Sequence, residues 1–115
     1  MATVSSHVLN GSDGTHAGAV AMRLINIDTG DTLFKSSTDD DGRFSQSVDL
    51  TNAIAEHRYE LVVSTAQYWL SKDVASDQFI DEIVLRFRMP DPDARYHKPL
   101  IIAPNSYSTW SSVAE

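Results

Sequence analysis

The rhythm of apolar residues most constrains how this chain can fold. Short segments alternate apolar and polar side chains, and clusters of turn residues cut them apart. "AVAMRLINI" puts Val20, Met22 and Leu24 on one side and Arg23 on the other. "IDEIVLRFRM" sets Ile83, Leu85 and Phe87 against Glu82, Val84, Arg86 and Arg88. A period of two suits a strand with one face on a core and the other in water. Val4 to Leu9, "TLFKSS", "RYELVVS", "RYHKPLII" and "NSYSTW" read as further strands. "NGSDG", "DTGD" and "TDDDGRF" are turns, with Gly42 free to take a positive φ. Two stretches could be helical: the short "DLTNAIAEH", and "TAQYWLSKDVAS", which allows about two or three turns. Strands and helices do not alternate regularly, which excludes a βαβ architecture. Roughly seven or eight short strands predict an all-β, two-sheet antiparallel β-sandwich with one short helix.

At 115 residues the chain suits a single domain, 1–115, with a core that stands without metal or disulfide. It has no cysteine, so a disulfide framework and a zinc–thiolate site are both excluded. No apolar run approaches the roughly 18 residues of a membrane helix. "MATVSSHVLN" lacks the basic start and apolar stretch of a signal peptide. A cytoplasmic location is the expectation. The formal charge of −7 argues against nucleic acid or an anionic membrane as partner. Asp39, Asp40 and Asp41, and Asp91 and Asp93 around Pro92, read as solvated turns. "DDDGR" lacks the spaced ligands and closing glutamate of a calcium loop.

Few residues could carry chemistry. His7 lies in the first strand, His97 in the second-to-last, and Arg43 comes just after the Asp-Gly turn. By sequence alone these are three polar residues far apart, and a lone strand histidine is more often structural than catalytic. His16 and His57 read as solvent-facing loop residues. A metal site built on His7 and His97 lacks a third ligand at any suitable spacing. No nucleophile elbow, H-E-x-x-H or phosphate-binding glycine loop is present. Strand alternation turns Lys98 away from His97 and predicts an exposed lysine.

Three blocks change this reading. "SSHVLNGSDGTHAGAVAMRL", "TDDDGRF" and "RYHKPLIIAPNSYSTW" occur in this order with fitting separations. They resemble the S-T-H-V-L-[DN], T-x-x-D-G-R and Y-H-[VI]-P-L-L-L-S-P-x-S-Y-S-T-Y segments of the transthyretin-like 5-hydroxyisourate hydrolases. The resemblance covers nearly the whole chain. It implies a transthyretin-like sandwich assembled as a homotetramer, a dimer of dimers with active sites at the subunit interface. It also implies that His7, Arg43 and His97 are catalytic. Tyr107, Ser108, Trp110 and Ser111 would border the substrate. The substrate would be a small molecule, with no metal or other cofactor. A neutral histidine can take a proton from the attacking water, and an arginine can hold a carbonyl or oxyanion.

The chain departs from that pattern at its end. Where the family closes with Tyr-Arg-Gly-Ser, this chain has Trp110-Ser111-Ser112-Val113 and then Ala114-Glu115. The tail arginine is gone, and an indole replaces a phenol. His16 stands where the family usually has proline, and Lys98 where it often has an aliphatic. Three functions are open to such a chain: a 5-hydroxyisourate hydrolase-like enzyme; an enzyme using the same three residues on a different small cyclic or imine substrate of a specialised pathway; and a non-enzymatic carrier of small ligands. Retention of all three polar residues argues against the carrier, because burying them costs energy.

Overall fold

The computed structural model describes residues 1–72 and 78–112. Nine strands and one short helix form two sheets. The first sheet contains β1 (Ala2–Asn10), β4 (Arg43–Val48), β7 (Arg95–His97), β8 (Leu100–Ala103) and β9 (Ser106–Thr109). The second contains β2 (Ala21–Asn26), β3 (Thr32–Ser37), β5 (Arg58–Ser64) and β6 (Glu82–Arg88), in the order β3-β2-β5-β6. Their inner faces supply the core: Val4 and Val8 from β1, Met22 and Leu24 from β2, Tyr59, Leu61 and Val63 from β5, and Leu100 and Ile102 from β8. The expected alternation is present, with Ile83 buried and Glu82, Val84, Arg86 and Arg88 exposed.

The sandwich differs from the sequence expectation in four places. "RYHKPLII" is two strands, broken at Lys98-Pro99, because proline has no N–H for the ladder. Both halves run parallel to β1, β7 along Thr3–Ser5 and β8 along Val8–Asn10, so the first sheet is mixed. The residues after the Asp-Gly turn form an additional strand, β4. "DLTNAIAEH" makes turns rather than a helix. The second helical stretch yields α1, Ala66–Ser71, which buries Tyr68 and Trp69. Residues 73–77, the remainder of that stretch, lie outside the described residues. Among the described residues no helix is long and apolar enough to cross a membrane.

The central strand β1 carries side chains to both the core and the outer face of its sheet. Ala2, Val4, Val8 and Asn10 face the core, whereas Ser5 and His7 occupy the outer face. Ser6 also points inward, nearly fully buried, and its hydroxyl donates to the Lys98 carbonyl at 2.7 Å. That carbonyl sits at the β7–β8 break, so a buried serine satisfies a group the interrupted ladder does not pair.

Candidate active site

The turn before β4 sets the register of the site. Asp39 Oδ1 accepts from the backbone N–H of Asp41 and of Arg43, both at 2.9 Å. Gly42 N–H donates to the Asp39 carbonyl at 2.9 Å, and Gly42 holds φ +72°. A Cβ there would lie 2.3 Å from the Val8 carbonyl oxygen, so only glycine fits. The chain therefore enters β4 with Arg43 directly opposite His7. On the other side of β1, His97 pairs with Ser5. His97 Nδ1 and Ser5 Oγ share a hydrogen bond of 2.8 Å. Three residues remote in sequence thus share the outer face of one sheet.

A cleft of about 320 Å³ opens on this face, lined by Ser5, Arg43, Arg95, His97 and Ser112. The sequence alone does not single out Arg95. It precedes His97 by two residues on one strand, so alternation puts the two on one face. His7 lies beside the cleft, half-buried. Desolvation lowers its pKa below the usual 6.5, and the Arg43 guanidinium and His16 lower it further. A hydrogen bond to the Asp41 backbone opposes these effects. The net result is a neutral imidazole at neutral pH, the form a general base requires.

Three residues, His16, Lys98 and His57, differ from their expected roles. His16 is exposed, as a loop residue should be, but its Nδ1 lies 3.1 Å from His7 Nε2 and the two rings stack at 5.2 Å. Lys98 is buried, at 7% exposure, contrary to the expected surface lysine. Alternation holds through Lys98, which shares the inward side with buried Tyr96 of β7, opposite His97, so its side chain enters the sandwich. Its Nζ lies 4.1 Å from the Phe87 ring centroid and donates to Ser111 Oγ at 2.7 Å. Burial lowers its pKa. His57 is half-buried and bonded to Asn26 at 3.1 Å. It lines a separate cavity of about 220 Å³ with Asn26, Asp31 and Tyr59.

The four tail positions separate. Ser108 pairs with Ile101 on the outer face, whereas Tyr107 pairs with the buried Ile102 and so takes the opposite face. Tyr107 is therefore on the wrong side of β9 to meet the cleft directly. Trp110 is exposed. Ser111 turns to Lys98, and its neighbour Ser112 lines the cleft, with its N–H 3.4 Å from the His97 carbonyl. Residues 113–115 lie outside the described residues. No cluster of three or more His, Cys, Asp or Glu suited to a metal occurs among the described residues.

A two-sheet transthyretin-like sandwich with a polar His/Arg cleft on one outer face defines the class. Residues 4–111 match the model of the HIUase/transthyretin family, and the chain belongs to that family. It is 33% identical over 111 residues to the 5-hydroxyisourate hydrolase of Deinococcus radiodurans, covering 93% of this chain and 92% of that one. It is 34% identical over 112 residues to the enzyme of the same name from Halalkalibacterium halodurans, covering 93% and 94%. The solved 5-hydroxyisourate hydrolase of Klebsiella pneumoniae superposes with a TM-score of 0.79 at 26% identity, covering 98% of this chain and 100% of that one.

Proposed function

We propose that the chain is a hydrolase that opens a cyclic amide of 5-hydroxyisourate or a closely similar purine-derived ring. The observation that carries this reading is the register placing His7 opposite Arg43 and His97 beside Ser5 on one sheet face. In the proposed reaction, water adds to the ring carbonyl carbon. Neutral His7 takes the proton of that water. Arg43 donates to the carbonyl oxygen as it becomes an oxyanion. His97, oriented by Ser5, delivers a proton to the departing ring nitrogen as the C–N bond breaks. His97 regains a proton as the new carboxyl ionises, so these steps use only the water and groups on the chain. We further propose a homotetramer in which the cleft is completed by a second subunit. Among the described residues the edge strand β9 pairs only with β8, and Tyr107 and Trp110 are 45% and 55% exposed beside it. A cytoplasmic location accompanies this reading.

A second reading, a different ring substrate, is favoured by one observation. The position where the family has a tail arginine is Ser111, and it is occupied with Lys98 rather than the cleft. Losing one charged hydrogen bond to a urate-like ring costs roughly 1.5–3 kcal/mol, or about ten- to a hundredfold in kcat/KM. Arg95 gives the cleft a second guanidinium that limits this loss. The test uses freshly generated 5-hydroxyisourate, monitored by its ultraviolet absorbance. Wild type is compared with a tail variant, Trp110→Tyr, Ser111→Arg, Ser112→Gly and Val113→Ser, lacking the last two residues. Light scattering on the same samples should give about four chains. Equal, efficient turnover by both supports the hydrolase with its present tail. A large gain in the variant supports the altered substrate, and no turnover by either rejects 5-hydroxyisourate.

A further inference from the structure

His16 is a third imidazole at the site, reached from a loop instead of the sheet. The short antiparallel contact between Leu9 and His16 brings the loop back along β1. The Ala17 N–H donates to the Val8 carbonyl at 2.9 Å, and the Asn10 N–H to the Thr15 carbonyl at 2.8 Å. The backbone thus fixes His16 from both sides, and its ring stacks on His7 with an interplanar angle of 24°. The Nε2···Nδ1 contact of 3.1 Å is a hydrogen bond in which one ring donates and the other accepts. Beyond it, the His16 ring is open to solvent, whereas His7 is half-buried.

We propose that His16 positions His7 and relays its proton to solvent during turnover. This role rests on the hydrolytic reading of the site. The hydroxide part of the water bonds to the substrate carbonyl carbon, and its proton goes to His7. As an imidazolium, His7 carries hydrogen on both nitrogens, and its Nε2–H faces the Nδ1 lone pair of His16. Transfer across that contact returns His7 to the neutral base and moves the positive charge to an exposed ring. His16 then gives a proton to a buffer base. Charge on His7 itself is disfavoured by burial, by Arg43 opposite, by His16 and by His97, and only the Asp41 backbone bond favours it. An exit to water is therefore worth most at this residue. The neighbouring Arg43 cannot serve, since a guanidinium does not release its proton in this pH range.

The experiment compares wild type, His16→Ala and His16→Asn on 5-hydroxyisourate, at low buffer and with added imidazole. Asparagine keeps a polar atom near the Nδ1 position but cannot carry a proton. A relay predicts that both variants lose about tenfold in kcat with KM little changed, below the ~10²–10⁴-fold typical of losing a general base. Added imidazole should restore both. The acid limb of the kcat/KM profile should move to higher pH in both, because a group that lowers the His7 pKa has gone. Nitrogen-detected NMR of the His7 ring should show the same upward shift without substrate. Full activity in His16→Asn, with no response to imidazole, would reduce His16 to a positioning role and overturn the relay. Wild-type turnover unaffected in both variants would remove both roles. A wild type that does not turn over 5-hydroxyisourate ends the relay together with the reading beneath it, while the NMR shift still reports whether the two rings are coupled.

Discussion

The outer faces of the two sheets use the same charged residue types to opposite ends. On the second sheet three of the four arginines are matched, and the fourth, Arg88, sits opposite Arg58 with no carboxylate partner among the described residues. Arg86 meets Glu60 at 2.9 Å directly across the β5–β6 ladder, Arg23 meets Glu82 at 3.2 Å, and Arg58 meets Asp28 at 2.9 Å. On the first sheet Arg43 faces His7, and Arg95 lies along the same side toward His97. Among the described residues neither Arg43 nor Arg95 has a carboxylate partner. Asp39 reaches the rim, but its Oδ1 is engaged by two backbone N–H groups. In a chain of net charge −7, carboxylates are not scarce. A cationic row left unmatched opposes folding slightly and leaves donors aimed at the cleft. Such local conflict with stability is expected where function sets the residues.

The largest expected effect breaks this contrast on the site side. Arg43→Ala and His97→Ala should each reduce kcat/KM on the true substrate by ~10²–10⁴-fold. The double variant should lose far less than the product of the two, since the groups act on one transition state. Melting temperatures should stay near wild type, because neither side chain belongs to the core. Steady-state kinetics beside thermal melts check both statements. An active His97→Ala enzyme would end the proposed assignment of this face.

The sheets are legible in the sequence because alternation survives in β2 and β6 without interruption, and the turn residues between strands are explicit. The parallel pairing of β7 and β8 with β1 is not. A strand's partner and direction depend on contacts distant in sequence, and Pro99 marks only the break. The convergence of His7, Arg43 and His97 is likewise legible only through resemblance to a family, because 90 residues separate the two histidines. Lys98 defeats a sequence reading for a related reason: alternation puts it opposite His97, but only the packing shows that this opposite face, shared with buried Tyr96, is the core side. The contact of His16 with His7 is not legible, because loop residues carry no periodicity. Only the backbone bonds around Val8 and Asn10 bring that residue back onto His7.

Lys98 sharpens the comparison by placing a cation between the two sheets. Its folded pKa lies below the usual 10.5 because burial disfavours the charged form. Between the folded value and 10.5 the unfolded chain binds more protons, so stability rises with pH through that window. Lys98→Met keeps much of the buried stem and removes the charge. Near neutral pH it should melt at or above the wild-type temperature, with the difference narrowing as pH approaches 10.5. The variant also frees Ser111, and with it the segment that brings Ser112 to the cleft. KM should therefore rise while kcat changes little. Thermal melts across pH and steady-state kinetics on one preparation test the two claims separately, and a lower melting temperature near neutral pH would contradict the desolvation argument.

The smallest effect is expected on the matched face. Arg86 is 58% exposed and Glu60 21% exposed, so water screens much of their attraction. Arg86 Nε and Nη2 both donate to one oxygen, Glu60 Oε2, at 3.1 and 2.9 Å. This is a less demanding geometry than two parallel bonds to two oxygens. Arg86→Ala should cost about 0–1 kcal/mol of stability, with that cost shrinking as salt is added. It should leave kcat/KM unchanged, because the side chain lies on the opposite sheet from the cleft. Denaturant melts at low and high ionic strength, with the turnover assay alongside, provide the check. If Arg86→Ala lowered turnover as far as Arg43→Ala, pairing with a carboxylate would not separate structural from functional arginines in this sandwich. The cationic row would then lose its standing as a marker of the site.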